Sequence, residues 1–158
     1  MDAQTVAYCD ANADRLAARY ERASMAVLHH LLLRHLPSRC RVLEIGGGSG
    51  RDAAFLLGEG YDVEVIDASQ AMPDAACVAH PELHGRVRCA AFPLDDDGTW
   101  QPSRPYDAIV SNAMLMHLPD HVLFDAVRQM RELLVERGVV LMGISHGRGG
   151  LADNQRCA

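Results

Sequence analysis

Residues 42–54 read VLEIGGGSGRDAA, and the reading of this stretch decides the fold. Four glycines fall within the five positions 46–50, directly after a short apolar run. The run reads as a buried strand, and GRDAAFLLGEG after it reads as a helix closed by Gly58 and Gly60. Glycine weakens a strand, so its concentration here needs a reason. In a parallel sheet, the turn at the carboxyl end of the first strand lies at the switch point where ligands bind. Glycines there permit positive φ and let a ligand approach the backbone with no Cβ in the way. The following helix presents free N–H groups and a partial positive charge. The turn therefore predicts a site for a nucleotide-like cofactor. A glycine turn kept for packing alone is the other reading.

Working outward, strands and helices alternate. DVEVID is a strand, SQAMPDAACVAHP a helix capped by Ser69 with Pro73 in its first turn, and RVRCAAF a strand. DDDGTWQPSRP is a loop, YDAIVSN a strand, and DHVLFDAVRQMRELLVERG a helix capped by Asp120 and stopped by Gly138; VVLMGIS is the fifth strand. Before them, residues 10–36 carry Leu16, Tyr20, Met25, Leu28, Leu32 and Leu36 at helical spacing. Ser24 is placed to divide that segment in two, and Pro37 ends it. Strands separated by helices imply parallel pairing, hence an α/β fold. The expectation is a Rossmann-like, doubly wound, mostly parallel sheet of five visible strands. Helices cover both faces, and further helices precede the sheet. One domain spans 1–158: an N-terminal helical lid at 1–38, a cofactor-binding core at 39–146 and a polar tail at 147–158.

The chain has 158 residues, enough for one domain with a proper core, and its composition, 49% hydrophobic and 23% charged, is ordinary for a globular protein. A net charge of −6 without any block of five or more Lys/Arg gives nucleic-acid binding no electrostatic support. Five widely spaced cysteines, with no C-x-x-C, fit a reducing compartment. The start is acidic and polar, unlike a signal peptide, and no apolar run approaches the roughly 18 residues of a membrane span. A cytoplasmic protein with no membrane partner is expected.

Spacing narrows the cofactor. The third glycine of a dinucleotide G-x-G-x-x-G would fall at Arg51 when counted from Gly46, and at Ala53 when counted from Gly48. What stands instead is Glu44-x-Gly46-x-Gly48-x-Gly50. A second signal is Asp67, which ends the second strand 21 residues after Gly46 and is placed to accept from a ribose diol. A third is YDAIVSNAMLMHLP, with Asp107 opening the fourth strand, Asn112 ending it and MLMHL following at 114–118. Taken in this order, these motifs resemble the class I S-adenosylmethionine-dependent methyltransferases, over residues 8 to about 150.

The resemblance implies roles. Gly46, Gly47, Gly48 and Gly50 would pack against the methionine part of S-adenosylmethionine, with S-adenosylhomocysteine as product. Glu44 would brace the loop. Asp67 would hold the ribose, with Ala68 beside the adenine. Many members carry an Asp after the third strand; here CAAFPL leaves Ala91 and Phe92 to offer backbone and apolar contact only. Asn112 and Ala113 would lie near the methionine end. Arg51 either pairs with the cofactor carboxylate or is a solvated first-turn residue. Tyr8 or Tyr20 either folds over the site or packs as core, with core packing favoured for Tyr20.

A sulfonium methyl is already electrophilic, so the protein's task is to place a nucleophile in line in a dry pocket. His117 is positioned by motif order to face the cofactor mouth, as a base or as pocket wall. No metal site is expected: Pro119 and Asp120 separate His117 from His121, Pro81 separates His80 from His84, and His29–His30 reads as surface. The segment Ser111-Asn112-Ala113-Met114 lacks the Asn/Asp-Pro-Pro-aromatic of the branches that methylate amino groups of bases or glutamine side chains. A small-molecule acceptor is therefore expected.

The family's sheet has two more strands beside the fifth, and the 13 residues after Ser145 are too few and too polar to form them. Truncation of a longer enzyme, edge-to-edge dimerisation and completion by a partner chain compete as explanations, with truncation favoured. A non-catalytic S-adenosylmethionine-binding subunit and a nicotinamide-dependent oxidoreductase remain as rival functions.

Overall fold

The structure, a computed structural model, describes residues 3–94 and 100–144. Its strands are β1 (Arg41–Ile45), β2 (Asp62–Asp67), β3 (Val87–Cys89), β4 (Tyr106–Asn112) and β5 (Leu134–Gly143). They form one sheet in the order β3-β2-β1-β4-β5, parallel at every pairing. The order reverses between β1 and β4, so the switch point lies at the carboxyl end of β1, beside the glycine turn. This is the expected Rossmann-like α/β sheet.

Helices α1 (Ala3–Arg22), α2 (Ala26–His35), α3 (Arg51–Gly58), α4 (Met72–Ala79) and α5 (Leu123–Leu133) surround it. Every residue of β1 is buried, as a central parallel strand covered on both faces requires. Alternation divides the strand residues between two cores. Val42, Val63, Val65, Ala108 and Val110 meet Leu32 and Leu36 around α2 and Ala53 and Leu56 of α3. Leu43, Ile45, Ile66 and Ile109 meet Ala126 and Met130 of α5 on the opposite face. A third cluster seats α1 on α4 through Ala13, Leu16, Ala17, Met72 and Ala75.

Several boundaries differ from the sequence expectation. The first helix begins at Ala3, kinks at Asn12 (φ −130°) and ends at Arg22; Met25, not Ser24, stands at the N-cap of α2. Helix α4 starts at Met72, but Ser69 still accepts from the Met72 N–H at 3.2 Å. The third strand is confined to Val87–Cys89 and leaves Ala91 and Phe92 beyond it. Helix α5 stops at Leu133, before Gly138, and Asp120 belongs to a separate 3-10 turn. The reason lies in the sheet. Leu134 pairs with Tyr106 and Val139 with Ala108, so β5 takes five steps where β4 takes two. The extra residues turn through Arg137 (φ 66°), and the core position of Leu134 outweighs the helical pattern of the segment.

Strand β5 is one edge of the sheet among the described residues, with Met142 in it and Ile144 just after it exposed. The tail 147–158, the end of the expected fifth strand at Ser145 and most of the DDDGTW loop lie outside the described residues. No helix among the described residues is long and apolar enough to cross a membrane.

Candidate cofactor site

The glycine turn is built by backbone that only glycine tolerates well. Gly46 (φ +77°) and Gly48 (φ +55°) are left-handed. A Cβ on Gly46 would fall 2.5 Å from the Met114 side chain, so alanine there is excluded by space as well as by φ. The turn is tied to β2 by the Gly46 N–H, which donates to the Ile66 carbonyl at 2.8 Å.

Asp67 sits where β2 ends. Its Oδ2 accepts from the Gly48 N–H at 3.0 Å and its Oδ1 from the Ser69 N–H at 2.9 Å. It thereby links the glycine turn to the turn entering α4. Burial pushes its carboxyl pKa up, against the pull of those two bonds. Each oxygen keeps a further lone pair for a hydroxyl donor. Ala68, half-buried, follows it, and its carbonyl faces the Cys89 thiol at 3.8 Å.

Glu44 lies beneath the turn, 3% exposed. Its Oε2 has no hydrogen-bond partner among the described residues. Burial, reinforced by Asp52, pushes its carboxyl well above the ordinary range, with Arg51 pulling the other way. A buried carboxylate oxygen without a partner is costly unless it is protonated or meets a donor that arrives with a ligand.

Beside the turn, Ile45, Gly46, Ile66, Ala68, Ala90, Phe92 and Met114 enclose an apolar cavity of about 10 Å³. That holds no more than about one water. A flat heterocycle enters only if Met114 or Phe92 moves, and both are buried here. Ala91 is exposed and Phe92 belongs to the core, so of the two only Phe92 lines this slot.

On the β4 side, Ala113 adopts φ 57° and its N–H donates to the Gly143 carbonyl at 2.8 Å. A non-glycine residue held left-handed is a local strain, here placed at the switch point. It turns the chain so that Met114 returns over Gly46. Asn112 is half-buried, with its side chain against Gly143 at the end of β5. His117 closes a 3-10 turn over Leu115–His117 and is half-buried.

Two acids that the sequence reading passed over, Glu21 and Asp10, join the residues it weighed around the turn. Glu21 of α1 accepts from the Ser49 hydroxyl at 2.6 Å. Asp10 accepts from Ser69 Oγ at 2.5 Å and from the Gln70 N–H at 2.8 Å, and these bonds hold its carboxyl below the usual range. His29, expected at the surface, stacks on Phe55 at 3.8 Å and meets Asp52 at 2.8 Å. Tyr20 is half-buried and does two things. It packs against the α1–α4 cluster, and its ring lies 3.3 Å from where a Gly48 Cβ would be. Tyr8 is exposed and accepts from Arg15. Arg51 donates to the Tyr20 carbonyl and to Asp52.

Three features fit a nucleoside cofactor: a cradle without Cβ atoms at the switch point, a carboxylate at the end of β2, and a buried acid under the loop whose Oε2 has no partner among the described residues. They stand on an α/β sheet, at its switch point. Residues 15–147 match the methyltransferase domain family, and the chain belongs to that family. A trans-aconitate 2-methyltransferase of Methylobacterium radiotolerans is 40% identical over 81 residues, which cover 50% of this chain and 28% of that protein. A protein-L-isoaspartate O-methyltransferase of Chlorobaculum parvum is 31% identical over 134 residues, 84% of this chain and 53% of that protein. The chain thus spans about half, or less, of the length of these relatives. Among solved structures, a TehB-like SAM-dependent methyltransferase of Corynebacterium glutamicum superposes with a TM-score of 0.68 at 24% identity, over 90% of this chain and 77% of that one. At that identity the likeness speaks for the fold.

Proposed function

We propose that this chain binds S-adenosylmethionine at the glycine turn and transfers its methyl group to a small-molecule acceptor, leaving S-adenosylhomocysteine. The observation that carries the reading is the orphaned Glu44 Oε2 beneath a Cβ-free turn that Asp67 ties to β2. When bound, the cofactor supplies the electrophilic methyl. The chain's own residues then bind, orient and exclude water.

Gly46, Gly47, Gly48 and Gly50 give the backbone approach. Asp67 accepts from the ribose hydroxyls with the lone pairs its backbone bonds leave open. Glu44 receives an ammonium donor, directly or through water, and so regains a partner for its buried oxygen. Ala68 and Phe92 flank the base, while Asn112 and Ala113 face the methionine end. His117 acts as the base where the acceptor must lose a proton, and as pocket wall where it need not. The domain division into an N-terminal lid (1–38) and a core (39–146) belongs to the same reading.

A small acceptor is favoured by the segment after β4, which lacks the Pro-Pro-aromatic signature. Relatives named for a small carboxylic acid and for a protein both occur, so acceptor screens need both classes. The net charge of −6 argues against nucleic acid, and the spaced cysteines fit a reducing compartment such as the cytoplasm.

Isothermal titration of the chain with S-adenosylmethionine, S-adenosylhomocysteine and NAD tests this. Micromolar binding of the two sulfur ligands alone, lost in Asp67→Ala, is expected. Binding of NAD in their place would sink the reading. Among the described residues β5 has no strand on its outer side, which favours a second reading, a cofactor-binding subunit whose sheet is completed by a second copy or a partner chain. Turnover of any acceptor by the monomer rules that out.

A further inference from the structure

Arg51 opens α3 directly after the glycine turn, and its guanidinium is engaged with the N-terminal helices. Nη1 donates to the carbonyl of Tyr20 and, at 3.4 Å, to that of Ala23. The Tyr20 carbonyl lies in the last turn of α1, where it also accepts from the Ala23 N–H at 3.1 Å, and Ala23 follows the helix; carbonyls at a helix C-terminus carry partial negative charge. Nε and Nη2 donate to Asp52 at 3.0 and 3.3 Å. His29 of α2 holds Asp52 from the other side at 2.8 Å while stacking on Phe55. The Arg51–Asp52 pair therefore joins α1, α2 and α3. Next to it, Ser49 is bonded to Glu21, and the ring of Tyr20 lies over Gly48.

We infer that Arg51 is a positioning residue that fastens the corner between α1 and α2 onto the glycine turn, and so sets Tyr20 as a wall of the cofactor cleft, rather than pairing with the cofactor's carboxylate. All three of its nitrogens already have acceptors in this arrangement. The inference rests on the glycine turn being the S-adenosylmethionine site, and it concerns what holds the lid there.

Hydrogen exchange of the ligand-free full chain tests the fastening without any ligand. In Arg51→Met, exchange over residues 13–23 should rise about tenfold, the scale of one charge-assisted hydrogen bond, with β1 and β4 unchanged. Titration then separates the two roles. S-adenosylhomocysteine carries the carboxylate and 5′-methylthioadenosine does not. Loss of the lid weakens both ligands by a similar factor, whereas loss of a carboxylate partner weakens the first alone. Unchanged exchange in α1 of a folded Arg51→Met, or weakening confined to S-adenosylhomocysteine, overturns the inference. Should β1 and β4 also exchange fast, the variant has not folded. Asp52→Asn, which keeps the arginine but loosens its support, then takes its place with the same two readouts. A wild-type chain that binds neither ligand removes the cofactor reading, while the exchange comparison still decides whether Arg51 holds the corner.

Discussion

The two ends of the sheet both bury charge, and they treat it differently. At the amino end, Arg41 is 4% exposed and surrounded by acceptors. It donates to Glu64 at 2.9 Å and to the Arg104 carbonyl, and stacks 4.2 Å above the Tyr106 ring. Tyr106 donates to the other oxygen of Glu64 at 2.5 Å, and Asp62 takes Arg86 and Arg104 at 2.9 and 3.1 Å. Burial and then Glu64 push the Tyr106 hydroxyl above its ordinary pKa, so it stays a donor. At the carboxyl end, Glu44 is as deeply buried, and its Oε2 has no partner among the described residues. A saturated network holds strands together. An unsaturated one, next to left-handed backbone, keeps bonding capacity for a ligand.

That contrast can be broken in order of effect. Arg41→Met should cost about 3 kcal/mol in urea unfolding, because it leaves the Glu64 carboxylate with the Tyr106 hydroxyl but without its cation, yet leave S-adenosylhomocysteine affinity unchanged once the protein is folded. Affinity lost in proportion to stability would mean that the two ends are not separable. Asp67→Ala should do the reverse, lowering affinity by about 2 kcal/mol in calorimetry through lost charge-assisted bonds. A stability loss exceeding the affinity loss would make Asp67 mainly a brace for the turn.

Glu44 sharpens the comparison through pH. Its folded pKa is raised above the unfolded value, so the folded state holds the proton longer. Its contribution is fully present below the unfolded pKa of about 4.5 and is lost as pH rises through the folded pKa. Glu44→Gln should therefore gain on the wild type as pH climbs from about 5 toward 8, read from unfolding midpoints. A gap that stays constant with pH would show that Glu44 is charged throughout. Ala113→Gly is the smallest change. Relief of the left-handed φ should offset the entropy that glycine adds to the unfolded chain, leaving midpoints within about 0.5–1 kcal/mol of wild type. A large loss would mean that the Ala113 methyl packs in a way its φ does not reveal.

The strands were legible where apolar runs met turn residues. Strands β2 and β4 have the expected limits, Asp62–Asp67 and Tyr106–Asn112, and Gly60 and Pro105 punctuate the chain just before them. Helix α5 was read too long because MRELLVERG has helical periodicity, and nothing local shows that Leu134 is needed beneath Tyr106. His29 was read as surface because its partners, Asp52 and Phe55, are more than twenty positions away. Asp10 and Glu21 lie on a helix rich in charge, where no spacing marks an acid that reaches another element's backbone.

The sequence by itself determined the order of elements, the glycine turn at the end of β1 and the acids Glu44 and Asp67 on either side of it. These follow from local rules: periodicity, φ preference and motif spacing act over a few residues and are written in them. Only the tertiary structure decided that Glu44 Oε2 has no hydrogen-bond partner among the described residues, that Met114 fills the space over Gly46, that Asp67 bonds the Gly48 N–H and that Arg51 reaches back to α1. Each of these depends on which distant groups share a buried volume, and hydrogen-bond satisfaction is a property of that volume rather than of any stretch of chain.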